Sequence, residues 1–232
     1  MSYPSPLLEA AKGRLRGRRV VAVLSGKGGV GKTTVSALLS LALAKSGRPA
    51  SLFDLDVHGT SAYAIFGAGR RHEVDKAGIK PLEISGVHLF SLAGLVEEPV
   101  VLPGANKWGV LLGLVANADI RTEYVVFDMP PGMGDELLLL RTLAPFQPLL
   151  VTTPSPLSLD VARRLAKWLE ERGPRPRAVV VNMSGLYKGR PELGPYAHFE
   201  VPWDPSLEEY VGRIGEYRGP AADAVEKLAV EL

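Results

Sequence analysis

Ser25–Thr34 reads "SGKGGVGKTT", and it satisfies two phosphate-loop patterns at once. Gly26, Gly28 and Gly31 fit G-x-G-x-x-G, the dinucleotide fingerprint, while Gly26, Gly31, Lys32 and Thr33 fit G-x-x-x-x-G-K-[ST], the triphosphate loop. Both patterns need an apolar strand before the loop and a helix after it, because backbone N–H groups at a helix N-terminus hold the phosphate oxygens. "RVVAVLS" (Arg19–Ser25) supplies the strand and "KTTVSALLSLALAKSG" (Lys32–Gly47) the helix, with Gly47 as its stop. Asp54, at the end of the second apolar run "ASLFD", even stands where a dinucleotide site places its ribose-binding acid. The glycines alone do not decide.

Lys32 and Thr33 do. A dinucleotide's pyrophosphate gains little from a lysine there, whereas a triphosphate uses it on the β- and γ-phosphates and uses the following hydroxyl on Mg²⁺. The predicted phosphate cradle is therefore Gly26, Lys27, Gly28, Gly29, Val30, Gly31, Lys32, Thr33 and Thr34, and the predicted cofactors are ATP and Mg²⁺. A triphosphate site also needs an acid at the end of another strand, and "YVVFDMPPG" (Tyr124–Gly132) presents Asp128 in that position.

Outward from the loop, apolar runs alternate with helix-length amphipathic stretches. "PLLVTT" (Pro148–Thr153) and "RAVVVN" (Arg177–Asn182) are further strands, with helical spacing near Asn106–Ala118, Asp135–Leu143 and Leu157–Arg172. Strands apolar on both faces, alternating with helices, predict an α/β fold: a mostly parallel sheet covered on both sides. "PLEIS" and "VHLFSL" around Gly86 read as a small hairpin, and "PAADAVEKLAVEL" as a final helix. At 232 residues with 46% hydrophobic content, the expectation is one domain over residues 1–232, with residues 1–17 as a basic extension.

Composition narrows the function classes. The formal charge of +2 writes no general basic sheath for nucleic acid, although Arg70 and Arg71 with the arginines between Lys12 and Arg19 offer a local patch. No apolar run approaches the roughly 20 residues of a membrane span, and the start has no secretory signal, so a cytoplasmic protein with no membrane partner is expected. Cysteine is absent, which removes disulfides, thiolate metal sites and thiol catalysis together. His58, His72, His88 and His198 are scattered without metal-ligand spacing.

The second lysine of the loop, Lys27, carries a resemblance. K-G-G-V-G-K-T is similar to the deviant Walker A loop of the MinD/ParA/nitrogenase-iron-protein class of P-loop ATPases. "DLDVHGTS" (Asp54–Ser61) resembles that class's first switch. "VVFDMPPGMGDE" (Val125–Glu136), "VVVNMSGL" (Val179–Leu186) and "VPWDPSL" (Val201–Leu207) resemble segments of its Mrp/ApbC branch, with Thr60 and Met133 departing from the usual proline and threonine. The resemblance implies a slow, dimerisation-coupled Mg²⁺-dependent ATPase that forms a homodimer in the ATP state. Lys27 would reach the partner's nucleotide, Asp56 would position the attacking water, and Asn182 would read adenine. Thr33 would ligate Mg²⁺, with Asp128 and Asp54 or Asp56 on the metal's waters.

The branch carries an iron–sulfur cluster on a C-x-x-C just after N-M-S, and here that stretch, "SGLYKGRPELGPYAHFE", has no thiol. A cluster is therefore not expected, because its stable ligation relies on thiolates. The protein or cargo partner stays open. The alternative function is a positioning or partitioning ATPase acting on DNA, membrane or a protein.

Overall fold

The computed structural model describes residues 5–55, 61–95, 104–132, 134–186 and 193–232. Its centre is an eight-stranded sheet. In chain order the strands are β1 (Arg19–Leu24), β2 (Ala50–Asp54), β3 (Val74–Asp75), β4 (Gly78–Ile79), β5 (Leu82–Ile84), β6 (Val87–Ser91), β7 (Tyr124–Asp128), β8 (Gln147–Thr152), β9 (Ala178–Ser184) and β10 (His198–Pro202). The α-helices are α1 (Pro6–Leu15), α2 (Lys32–Lys45), α3 (Ser61–Ile65), α4 (Gly104–Asn117), α5 (Asp135–Leu143), α6 (Pro156–Arg172) and α7 (Pro220–Val230). The sheet runs β10-β9-β8-β1-β7-β2-β6-β5, with only the β5–β6 pair antiparallel. β3 and β4 form a separate two-stranded ribbon.

Strand alternation builds two cores. Ala22 and Leu24 of β1, with Val125 and Phe127 of β7, enter the layer covered by α1, α4, α5 and α6. Val21 and Val23, with Tyr124 and Val126, enter the layer under α2 and α7. In the first layer Phe53 stacks on Phe90 with ring centroids 4.6 Å apart and meets Phe127 at 5.1 Å. These three are register partners across β6, β2 and β7, and each fully buried ring contributes roughly 1.5–3 kcal/mol. One register step beyond this row stand Ser91, Asp54 and Asp128. The aromatic row therefore sets the height at which the polar ends of three adjacent strands meet.

The strands and helices read from the sequence occur, with ends shifted by a residue or two. α2 closes at the expected place: Gly47 has φ +75°, its N–H donates to Ala44 O, and Arg48 N–H donates to Leu43 O. The predicted hairpin forms as the antiparallel β5–β6 pair around Gly86, and β6 also pairs in parallel with β2, so the hairpin extends the main sheet. Within the basic extension, Pro6–Leu15 is helical. α1 packs on α4, with Ala11 and Leu15 buried. Arg14 donates to Ala116 O at 3.3 Å and Ala77 O at 2.9 Å, and Arg18 donates to Ile120 O at 2.6 Å and to Thr122 O. Two of the arginines offered for an anionic partner thus satisfy carbonyls left over at and beyond the end of α4, a use of cations that a helix C-terminus favours.

Candidate nucleotide-binding site

The loop between β1 and α2 lies at the carboxyl edge of the sheet, where ligands of open α/β folds bind. Ser25, Lys27 to Thr34, Ile65 and Pro131 line a cavity of about 300 Å³ there. Gly31 enters α2 at φ +79°, a left-handed conformation that favours glycine, and a Cβ on it would overlap the Asn182 amide. A Cβ on Gly26 would overlap Val161 of α6. Gly26 and Gly31 thus serve close packing.

Beneath the loop, side chains from one end of α2 converge on a single carboxylate. Lys32 Nζ donates to Asp128 Oδ1 at 2.6 Å, and the pair is 7% and 0% exposed. Thr33 Oγ1 donates to Asp128 Oδ2 at 2.7 Å, and Ser36 Oγ lies 3.0 Å from Asp128 Oδ1. Ser36 Oγ lies equally close to Lys32 O at 3.0 Å, so its one proton is shared between the carboxylate and the i−4 carbonyl, the bond that lets a hydroxyl sit inside a buried helix. Asp128 is therefore held by donors from α2 that lie on one turn. A carboxylate next to a threonine hydroxyl at the head of a phosphate loop is a hard oxygen donor set, the kind Mg²⁺ takes together with its waters.

Asp54 occupies the next strand end. Its Oδ2 accepts from Ala62 N at 3.2 Å and Ser91 Oγ at 3.4 Å, and the residue is 2% exposed. Ser91 N–H in turn donates to His72 Nε2 at 3.2 Å, and His72 Nδ1 meets Lys80 O at 2.8 Å. Burial holds the imidazole pKa below its ordinary value, against the two carbonyls facing it. Leu55 N–H donates to Asp128 O at 3.0 Å, tying the chain after β2 to the end of β7. Asp56, predicted to orient water and act on the metal's shell, lies outside the described residues.

On the other flank, Asn182 Nδ2 donates to Val30 O at 2.9 Å, so the amide braces the loop backbone. Lys27, half-buried, lines the cavity. Sequence reasoning missed Ser25, Ser36 and Ser91. Ser36 carries a readable signal: it lies three residues beyond Thr33 and four beyond Lys32 on the same helix face. Among the described residues, no group of three or more His, Cys, Asp or Glu is placed to hold a metal ion on its own. No described helix is long and apolar enough to cross a membrane.

The chain resembles known proteins over most of its length. Residues 16–192 match the profile of a ParA family described as NUBPL iron-transfer P-loop NTPase. The chain is 37% identical to the human cytosolic Fe-S cluster assembly factor NUBP2, covering 96% of this chain and 95% of that protein. It is 38% identical to an iron-sulfur cluster carrier protein of Pseudomonas fragi over 72% of this chain, spanning 61% of that relative's length. Among solved structures, a nucleotide-binding protein of Archaeoglobus fulgidus in complex with ADP matches with a TM-score of 0.70 and 26% identity, covering 92% of this chain and 95% of that one. The cell division ATPase MinD of Pyrococcus furiosus shares the fold, with a TM-score of 0.67 at 23% identity over 92% of this chain and 97% of that one.

Proposed function

Because the chain belongs to the ParA family of NUBPL-type iron-transfer P-loop NTPases, we propose that it binds Mg²⁺–ATP in the loop cavity and hydrolyses it as a nucleotide-dependent homodimer. The observation that carries this reading is the convergence of Lys32, Thr33 and Ser36 on Asp128 beneath the loop. On nucleotide binding Lys32 exchanges Asp128 for phosphate oxygens, while the N–H groups from Gly28 to Thr34 receive the rest of the anionic chain. Thr33 and Asp128 would hold Mg²⁺, which neutralises charge on the phosphates; Asp54 supports that strand edge, and Asp56 orients the attacking water. Lys27 of a second copy supplies a cation to the transferring group, and Asn182 faces the base end of the site while fixing the loop. The protein acts in the cytoplasm as a single domain.

The cargo differs from that in the names of the relatives. Stable iron–sulfur ligation needs thiolates, and the chain contains none. We therefore assign the ATPase switch to this chain without a cluster on it, and its partner is a protein or other cargo gripped by the ATP-bound dimer.

The test is turnover and oligomeric state measured together. Wild-type protein is expected to run as a dimer with ATP and Mg²⁺ on a sizing column. Lys27→Ala is expected to keep nucleotide affinity and lose turnover by about 10³-fold or more, as for cations supplied in trans to phosphoryl transfer. Equal hydrolysis by a monomeric Lys27→Ala protein would refute the shared site.

A further inference from the structure

Ser25 ends the strand that feeds the loop, and its hydroxyl stands apart from the other polar groups of the site. The residue is 2% exposed, it lines the loop cavity, and its Oγ has no hydrogen-bond partner among the described residues. Other hydroxyls near the site are engaged: Thr33 and Ser36 with Asp128, Ser91 with Asp54, and Ser158 with Thr152. A buried hydroxyl without a partner is destabilising, so its retention at a ligand cavity calls for a partner that arrives with the ligand.

Its place in the sheet says which part of the ligand that is. Val23 is the register partner of Asp128, and strand alternation continued from Val21 and Val23 carries Ser25 to the face on which α2 lies. That is the face on which Asp128 holds Lys32 and Thr33, the end of the cavity that the proposed function gives to the metal and the terminal phosphate. Ser25 is also joined to the loop after β7, since Gly132 N–H donates to Ser25 O at 2.7 Å and Gly132 sits at φ +99°.

We infer that Ser25 is a nucleotide-binding residue whose hydroxyl donates to an oxygen of the terminal phosphoryl group, so that the site separates nucleoside triphosphate from diphosphate. This rests on the nucleotide reading above and adds to it the group that reads the third phosphate. The link through Gly132 puts that group in direct backbone contact with the segment following Asp128, so occupancy by a triphosphate is reported to the loop that also lines the cavity through Pro131.

The experiment titrates Mg²⁺–ADP and a non-hydrolysable Mg²⁺–ATP analogue calorimetrically into wild type, Ser25→Ala and Ser25→Thr, and melts each protein without ligand. Ser25→Ala is expected to bind ADP as wild type does and to lose affinity for the ATP analogue by about tenfold or more, as for a lost hydrogen bond to a charged group. Ser25→Thr, which keeps the hydroxyl, is expected to retain the preference for the triphosphate. The ligand-free melting temperature of Ser25→Ala should equal or exceed that of wild type, because an unpaired buried hydroxyl has been removed. Equal losses for both nucleotides, no loss for either, or a ligand-free Ser25→Ala that melts several degrees lower would each overturn the assignment. Wild type that binds neither nucleotide would instead sink the nucleotide reading itself, and Ser25's role with it.

Discussion

Asp128 and Asn182 both stand at the carboxyl edge of the sheet beside the same loop, yet they do opposite things with their hydrogen bonds. Asp128 accepts from Lys32 and Thr33, with Ser36 within hydrogen-bond distance, and is fully buried. Asn182 gives one N–H to the carbonyl of Val30 and packs where a side chain on Gly31 would have to go. A carboxylate can collect several donors because it offers about four lone-pair sites, and it can release them to a phosphate without losing its own charge. An amide pinned to backbone cannot be redistributed in that way. One flank of the loop holds exchangeable charge, and the other holds shape.

Predictions follow from that contrast in order of size. Asp128→Ala should be the most damaging, leaving the Lys32 ammonium buried without its partner. We expect about 3–5 kcal/mol of lost stability in urea unfolding, the range for breaking one side of a buried ion pair. A loss under 1 kcal/mol would mean that Lys32 finds solvent and that the flank is not charge-locked. Lys32→Ala should weaken ATP by about 1.5–3 kcal/mol in calorimetry, the range for a hydrogen bond to a charged group, with Mg²⁺ present throughout. Unchanged ATP affinity would return the loop to the dinucleotide reading.

Asn182→Ala sharpens the comparison from the other flank. It leaves the Val30 carbonyl unpaired, so about 1–3 kcal/mol of stability should be lost. ATP and ADP affinities should fall together, since loop shape serves both. A loss confined to one of them would move Asn182 to the chemical side of the site.

The smallest effect concerns the third strand end, where His72 supports Ser91 and Ser91 supports Asp54. Burial holds the folded-state pKa of His72 below that of an unfolded chain, so the folded protein binds fewer protons than the unfolded one. Stability is then present above about pH 6.5 and falls as the pH drops below it. Burial also lowers His88, which adds in the same direction. Asp119, held near pKa about 2 by Arg121 and Lys80, contributes stability that is lost only below the ordinary carboxylate range, so it does not enter this window. Urea midpoints should decline from pH 7.5 to 5.5 in wild type and decline less in His72→Gln. A parallel decline in both proteins would remove His72 from the account.

Much of this site was legible before any fold was known, and the residues show why. The strand before the loop, the helix after it and Lys32–Thr33 are contiguous, so local pattern carries them. Asp128 was legible because an apolar run ending in an acid marks a strand end. Ser25 and Ser36 were not singled out, since serines in an apolar stretch look alike until burial and partners are known. The carbonyl partners of the N-terminal arginines are not legible for a related reason. Charge counts describe solvent-facing groups, whereas Arg14 and Arg18 bond carbonyls about a hundred residues away along the chain.

The sequence by itself determined the chemistry. A glycine loop with GKTT between strand and helix presents amides, an ammonium and a hydroxyl, the donor set that suits a phosphate chain, and the absence of cysteine excludes a thiolate-held cluster on this chain whatever its fold. The tertiary structure alone decided which groups share an atom: that Lys32 and Thr33 meet on Asp128, that Asn182 holds Val30, and that Ser25 is buried with its hydroxyl uncommitted. These pairings join residues 95, 96 and 152 positions apart, and parallel strand order with its register sets them. The physical reason is that local pattern fixes which face a side chain takes, while the crossover connections between parallel strands fix which faces meet.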